Sequence, residues 1–332
     1  MYNTNHHNID ISNHSFLITG GAGFIGAHIA EYLLKWGAGK VRVLDNYLTG
    51  DKANLSPFMS LPNFELIEGD IRDLETCRNA CKGIDFVTHQ AALGSVPRSL
   101  KEPQNTNAHN VDGFLNVLIA AKDEGVKRFV YASSSSVYGD SPELPKVEGK
   151  IGKQLSPYAV SKYTNELYAD VFYKNFGIEV IGLRYFNVFG PRQKPDGPYA
   201  AVIPLFVDKL MNTDTVYIDG DGEQTRDFTF VENAVQANIK AFFTANDNAI
   251  NQVFNVAVGE NFSVNYLFDK IKNYLEINAD AQYREARKGD VRNSLADISK
   301  AQELLGFNPE VRFLDGLEQT VEYFKSLSVT NK

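Results

Sequence analysis

Ser15-Phe-Leu-Ile-Thr-Gly-Gly-Ala-Gly-Phe-Ile-Gly26 is the stretch whose reading decides the fold. Its apolar half, Ser15 to Thr19, reads as a buried strand, and Ala27-His-Ile-Ala-Glu-Tyr-Leu-Leu34 beyond the glycines has helical spacing. Strand, tight turn and helix in that order form the first unit of a doubly wound α/β sheet. Gly20 and Gly23 let the backbone turn sharply and come close to a pyrophosphate. Gly26 lets helix pack on strand, and the N–H groups around Phe24 and Ile25 attract phosphate without a charged side chain.

A second strand, Lys40 to Leu44, ends at Asp45, 19 residues after Gly26. A carboxylate there accepts both hydrogens of an adenosine ribose diol, which favours NAD over NADP. Arg42 and Asn46 flank the acid and leave some tolerance of a 2'-phosphate open. Phe64-Glu-Leu-Ile-Glu-Gly-Asp70 reads as a third strand ending in an acid. Asp70, with Ile71, either borders the adenine or caps a helix before Arg72-Asp73-Leu74, and the sequence leaves both open.

Ser156-Pro157 is a helix start, serine as N-cap and proline in the first turn, and Tyr158-Ala-Val-Ser-Lys162 continues it. Tyr158 and Lys162 then share one face. A free tyrosine has a pKa near 10, and a cation one turn away favours the phenolate that a base requires. Upstream, Lys127 to Gly139 is an apolar strand ending in four hydroxyls, Ser133 to Ser136. Strand ends of this kind are where open parallel sheets bind ligands. A serine there can bond a substrate hydroxyl and relay its proton to Tyr158.

These residues closely resemble the extended short-chain dehydrogenase/reductase family over essentially the whole chain. The glycine turn, Ser134, Tyr158 and Lys162 carry the likeness, together with His89-Gln-Ala-Ala92, Leu183 to Pro191, Gly222-Glu-Gln-Thr-Arg-Asp227 and Gly289-Asp290. Within the family the chain is similar to nucleotide-sugar 4-epimerases, above all the bacterial UDP-N-acetylglucosamine 4-epimerases, through Ala91 to Arg98 and Arg184 to Gln193. The resemblance implies NAD as cofactor, held also by Gln90, Ala91, Ala92 and Tyr185, and a UDP-sugar as substrate. It implies Ser134, Tyr158 and Lys162 as catalytic residues, a transient 4-keto sugar, and a homodimer built through a helix bundle. It places Asn187 and Arg226 at the diphosphate, Arg287 and Asp290 near diphosphate and ribose, and Ser95, Arg98, Gln193, Ser135 and Val202 about the substrate. Tyr217 is either a uracil neighbour or lobe core. Ser294, where glucose-restricted relatives carry a tyrosine, leaves room for a 2-acetamido group. Sugar dehydratases carry acids at the positions of Ser135 and Ser136, and decarboxylases a glutamate at that of Ser136, so both reactions are disfavoured.

Two rivals remain. A uronic acid 4-epimerase would need Arg98 or Lys194 at the C6 carboxylate. A non-catalytic nucleotide sensor would be expected to lack Ser134, Tyr158 or Lys162, and all three are present.

Across 332 residues, 33 basic against 41 acidic side chains leave a net charge of −8, which argues against a nucleic-acid partner. A dianionic substrate must then be held by local arginines. Cys77 and Cys81 point to neither a disulfide framework nor a zinc site, and the cytoplasm is the natural compartment. Met1 to His14 is polar, with no signal-peptide core, and no apolar run is long enough to span a bilayer. His6 and His7 read as disordered tail rather than metal ligands. Strand-like runs at Ser15–Thr19, Lys40–Leu44, Phe64–Ile67, Phe86–His89, Phe129–Ser133 and Val180–Tyr185 alternate with helical stretches, which predicts a parallel Rossmann sheet. Phe254 to Ala257 reads as a strand returning to it. The expected organisation is interleaved: 1–186 with 229–260 for the cofactor, and 187–228 with 261–332 as a smaller substrate lobe.

Overall fold

The computed structural model describes residues 1–196, 200–286 and 292–330. The first half runs β1 (Ser15–Thr19), α1 (Phe24–Lys35), β2 (Lys40–Asp45), β3 (Phe64–Glu68), α2 (Leu74–Cys81), β4 (Phe86–His89), α3 (Val96–Lys101), α4 (Pro103–Asn107), α5 (Gly113–Asp123) and β5 (Arg128–Ser134). Then come α6 (Pro157–Phe176), β6 (Glu179–Tyr185), β7 (Val188–Phe189), α7 (Val202–Met211), β8 (Tyr217–Asp219), β9 (Thr225–Arg226), β10 (Thr229–Phe230) and α8 (Val231–Phe243). The chain ends with β11 (Gln252–Val256), β12 (Phe262–Ser263), α9 (Val264–Leu275), β13 (Gln282–Arg284), α10 (Ser299–Leu305) and α11 (Phe313–Thr330).

Seven parallel strands form the central sheet in the order β11-β6-β5-β4-β1-β2-β3. This is the doubly wound α/β fold expected. The strand order reverses between β1 and β4, so the crevice beyond Thr19 and His89 is where such sheets bind ligands. Helices cover both faces, which is why the strands are apolar almost throughout instead of alternating. Phe16 and Ile18 point into a core with Ile29 and Leu33 of α1 and Phe242 of α8. Leu17, between them, points the other way, to Phe114, Val117 and Phe129. Each such side chain contributes about 1.5–3 kcal/mol through burial. A third core, around Phe189, Phe206, Phe228, Leu267 and Phe313, belongs to the segments after β6.

β11 joins the sheet beside β6, in register Phe254 to Leu183, as the returning strand predicted. Cys77 and Cys81 are buried on α2 as free thiols, and burial pushes Cys77 up to about 12. The expectation of a loose N-terminus is corrected. Tyr2 and Ile11 are buried in the core, and His6 is buried and stacked on Tyr32 with ring centroids 5.6 Å apart. Apolar and aromatic side chains in an otherwise polar segment find a groove whose walls come from distant parts of the chain. Among the described residues no helix is long and apolar enough to cross a membrane.

Candidate active site

A cavity of about 560 Å³ opens at the C-terminal edge of the sheet. One end is the glycine turn. Gly20 has φ +70°, and a Cβ there would sit 2.7 Å from the backbone of Ala91; at Gly26 it would sit 2.3 Å from Gly20 O. No side chain caps α1, whose first residues Phe24, Ile25 and Gly26 line the cavity beside Gly23. The cradle is thus shaped for a close-lying pyrophosphate, and the residues present fit a dinucleotide.

Asp45, Asn46 and Ile71 line the same end. Asp45 accepts from Ala22 N at 2.9 Å and from Tyr47 N at 2.8 Å, and burial pushes its carboxyl up. It braces the turn while keeping further lone pairs for a diol. Arg42 is corrected as a partner for a 2'-phosphate: its guanidinium is buried on Glu65, Ala80 O and Lys82 O, away from the cavity. Asp70 is not the helix cap. Asp73 caps α2, accepting from Glu75 N and Thr76 N, whereas Asp70 is held by Arg72 and Asn46, and the Arg72 bond draws its carboxyl down to about 2.

The other end carries the candidate chemistry. Ser156 caps α6 through Ala159 N, placing Tyr158 and Lys162 on the wall with Ser134 and Ser135 from the end of β5. Burial raises the Tyr158 phenol, and the neighbouring Ser134 hydroxyl pulls it the other way. Lys162 is buried, donates to Ala132 O at 2.8 Å, and is pushed down to about 8 by burial. Desolvation is the largest influence on both groups, and Ser134 is the neighbour that lowers the Tyr158 phenol. Gln90, Ala91, Ala92 and Tyr185 form the floor, where Tyr185 Oη donates to Gln90 and accepts from Asn238. His89 of the same motif lies behind it, neutral, with burial taking its ring down to about 3.

A second cavity, about 260 Å³, joins the first at Asn187 and is lined by Val202, Tyr217 and Arg226. Asn187, at φ +36°, donates to Asp227 O at 3.0 Å. Arg284 of β13 stacks on the exposed Tyr217 at 5.5 Å and is ion-paired with Asp219, so Tyr217 faces the cavity and not the lobe core.

Ser95 and Gln193 line the first cavity, whereas Asp70, Arg98 and Ser294 line neither. Ser294 sits beside β9, its N–H donating to Thr225 O at 3.1 Å. Lys194 is paired with Asp51 at 3.3 Å outside both cavities. Arg287 and Asp290 lie outside the described residues. Four residues went unread in the sequence. Arg284 meets Tyr217 only through strand pairing. Glu166, one turn past Lys162, holds Ser133 at 2.5 Å and Arg184 at 2.9 and 2.8 Å. Asn238 comes from a distant helix. Asp227, inside a motif that was noticed, accepts from Val258, Gly259 and Ala296 N–H groups at 3.1–3.2 Å.

A doubly wound sheet whose switch point holds a glycine turn, a ribose-side acid and a Ser/Tyr/Lys group defines a nucleotide-dependent enzyme. Residues 16–257 match the NAD dependent epimerase/dehydratase family, and the chain belongs to it, with NAD as cofactor. It is 35% identical over 314 residues to a UDP-glucose 4-epimerase of Mycolicibacterium smegmatis, covering 94% of this chain and 99% of that one. It is 33% identical over 318 residues to a UDP-glucuronate 4-epimerase of Thermodesulfobacterium geofontis, covering 93% and 96%. Its fold is similar, with TM-score 0.89 and 40% identity over 95% of this chain and 99% of the other, to the UDP-N-acetylglucosamine 4-epimerase of Methanobrevibacter ruminantium in complex with UDP-N-acetylmuramic acid.

Proposed function

We propose that this enzyme interconverts the C4 epimers of a UDP-sugar, UDP-N-acetylglucosamine and UDP-N-acetylgalactosamine first among them. The observation that carries the reading is one cavity uniting the glycine cradle with Tyr158, Ser134 and Lys162, continuous at Asn187 with a second cavity bearing Arg226. Tyr158 takes the C4 hydroxyl proton, directly or through Ser134, and gives one back at the end. Lys162 holds the nicotinamide ribose, and its ammonium favours the phenolate. When bound along Gly20–Gly26 and Asp45, NAD supplies the acceptor that takes up the C4 hydrogen with its electron pair and returns it, emerging unchanged. The 4-keto sugar turns over while Asn187 and Arg226 keep the UDP clamped. Ser135 and Ser136 offer no acid for eliminating water.

Ser95 and Gln193 stand beside the sugar in this reading, with Tyr217 and Arg284 at the uracil and the N-terminus of α7, at Val202, near the diphosphate. Ser294 lines neither cavity, so the acetamido sugar is placed first on the likeness to the 40% identical UDP-N-acetylglucosamine 4-epimerase. The uronate alternative is favoured by the UDP-glucuronate relative, but its candidate cations, Arg98 and Lys194, line neither cavity. The same proposal takes 1–186 with 229–260 as the cofactor part and 187–228 with 261–332 as the substrate lobe, places the enzyme in the cytoplasm, and makes it a homodimer. Val160, Leu167 and Val171, each about half exposed, form the apolar stripe on α6 that a second copy would cover.

The test is incubation of the purified protein, without added NAD, with UDP-N-acetylglucosamine, UDP-glucose and their acid counterparts, the products being resolved by anion exchange. Conversion of the acetamido sugar to its 4-epimer is expected, and conversion of the acid sugars alone would transfer the assignment to a uronate epimerase. No conversion of any sugar, even with NAD supplied, would refute the reaction.

A further inference from the structure

Residues 1–11 pack along the seam between the sheet and the lobe. Met1 touches both cores, and Tyr2 is wholly buried at φ +61°. Tyr2 N donates to Glu232 of α8 at 2.7 Å, and its ring meets Tyr32 of α1 edge-on at 5.9 Å. Its hydroxyl lies 2.6 Å from His28 Nδ1, and His28 Nε2 lies 2.9 Å from Pro191 O. A carbonyl oxygen can only accept, so Nε2 carries the proton and Nδ1 must accept from Tyr2. Burial takes His28 down to about 3, so the ring is neutral and the direction of this chain is constant across ordinary pH.

Both ends of that chain lie next to the site. His28 belongs to α1, whose first turn forms the phosphate cradle. Pro191 belongs to the turn between Asn187 and Gln193, which line the cavities. Three residues of this turn have backbones in the region glycine favours: Asn187 at φ +36°, Gly190 at +155° and Arg192 at +67°. Such backbone persists only when its surroundings hold it. Two links fasten it to α1: His28 to Pro191 O, and Glu31 to Arg192 at 2.6 Å. Gln193, which donates to Val188 O at 3.1 Å, has its Oε1 buried without a partner among the described residues.

We propose that Tyr2 is a positioning residue: through His28 it pins the Gly190–Gln193 turn to the cofactor helix and thereby sets Asn187 and Gln193 for the nucleotide-sugar. This rests on the nucleotide-sugar reading above. The test compares the NAD-loaded wild type with Tyr2→Phe and with a variant lacking residues 1–9. The measurements are kcat and KM for UDP-N-acetylglucosamine, UDP affinity by calorimetry, melting temperature, and hydrogen exchange at the amides of 188, 189, 192 and 193.

Tyr2→Phe keeps the ring and removes one hydrogen bond, so KM and the UDP Kd should each rise about threefold to tenfold. Exchange in the turn should quicken and kcat stay near wild type, while the melting temperature falls by a few degrees because His28 Nδ1 is left buried without a donor. The deletion should shift the same quantities further in the same direction. A lower melting temperature with unchanged KM, Kd and exchange would make the segment merely structural and overturn the proposal, as would faster exchange with unchanged KM and Kd. If the wild type turns over no UDP-sugar, the function reading fails separately; exchange and UDP affinity still decide the role of Tyr2.

Discussion

In the proposed reaction Tyr158 surrenders its proton from a site whose burial raises its pKa, and the neighbouring Ser134 hydroxyl is the influence that pulls it back down. Tyr158→Phe keeps the ring in place and leaves the arginines untouched. Turnover should fall by about 10²- to 10⁴-fold, the usual worth of a positioned acid–base group, with UDP affinity by calorimetry near wild type. An equal loss of binding and rate would contradict the role. Lys162 supplies the pH dependence. Its folded pKa of about 8 lies below the ordinary 10.5, so the ammonium is lost as pH rises through about 8, and kcat/KM should decline there. The stability effect has the opposite sign. Between about 8 and 10.5 the unfolded chain binds more protons than the folded one, so this lysine's contribution to folding stability rises with pH. Activity that falls while a denaturation midpoint does not would separate loss of the cation from unfolding.

At the scale of elements, the site is an assembly of ends: the start of α1, the ends of β1, β4 and β5, the first turns of α6 and α7, and the β8–β13 pair. Asp227 binds two further segments together. Its carboxylate takes N–H groups from the turn after β11 and from Ala296, beside the β9 strand that carries Arg226. Asp227→Ala would leave the buried N–H groups of Val258 and Ala296 unpaired, each costing about 1–3 kcal/mol, while that of the exposed Gly259 can turn to water. Urea unfolding should therefore show a loss of about 2 kcal/mol or more, whereas a change under about 1 kcal/mol would mean that water or relaxation replaces the clamp.

For the whole molecule, the sheet supplies a rigid floor, and the segments after β6 supply a lobe with its own core that carries the second cavity. The apolar stripe on α6 lies on the outer face of the helix that bears Tyr158 and Lys162, so pairing of two copies there would stiffen the catalytic helix. Sedimentation velocity should give a dimer mass for the wild type and a monomer mass for Leu167→Glu combined with Val171→Glu. A monomeric wild type would remove the dimer from the proposal.

The sequence by itself determined the features that depend on short spacing. The glycine turn, the order of strands and helices, Asp45 at the end of β2, and Tyr158 one turn from Lys162 are set by local backbone geometry, and a few consecutive residues reveal them. Even there the limit shows: Asp70 could be read as a helix cap, and the structure gives that place to Asp73. The tertiary structure alone decided which distant residues meet. It turned Arg42 into the protein, stacked Arg284 on Tyr217, brought Asn238 to the cavity floor, and drew Tyr2 through His28 onto Pro191. Those contacts join residues tens to hundreds of positions apart. Their loop-closure cost is offset only when a whole core closes around them, so no local pattern announces them.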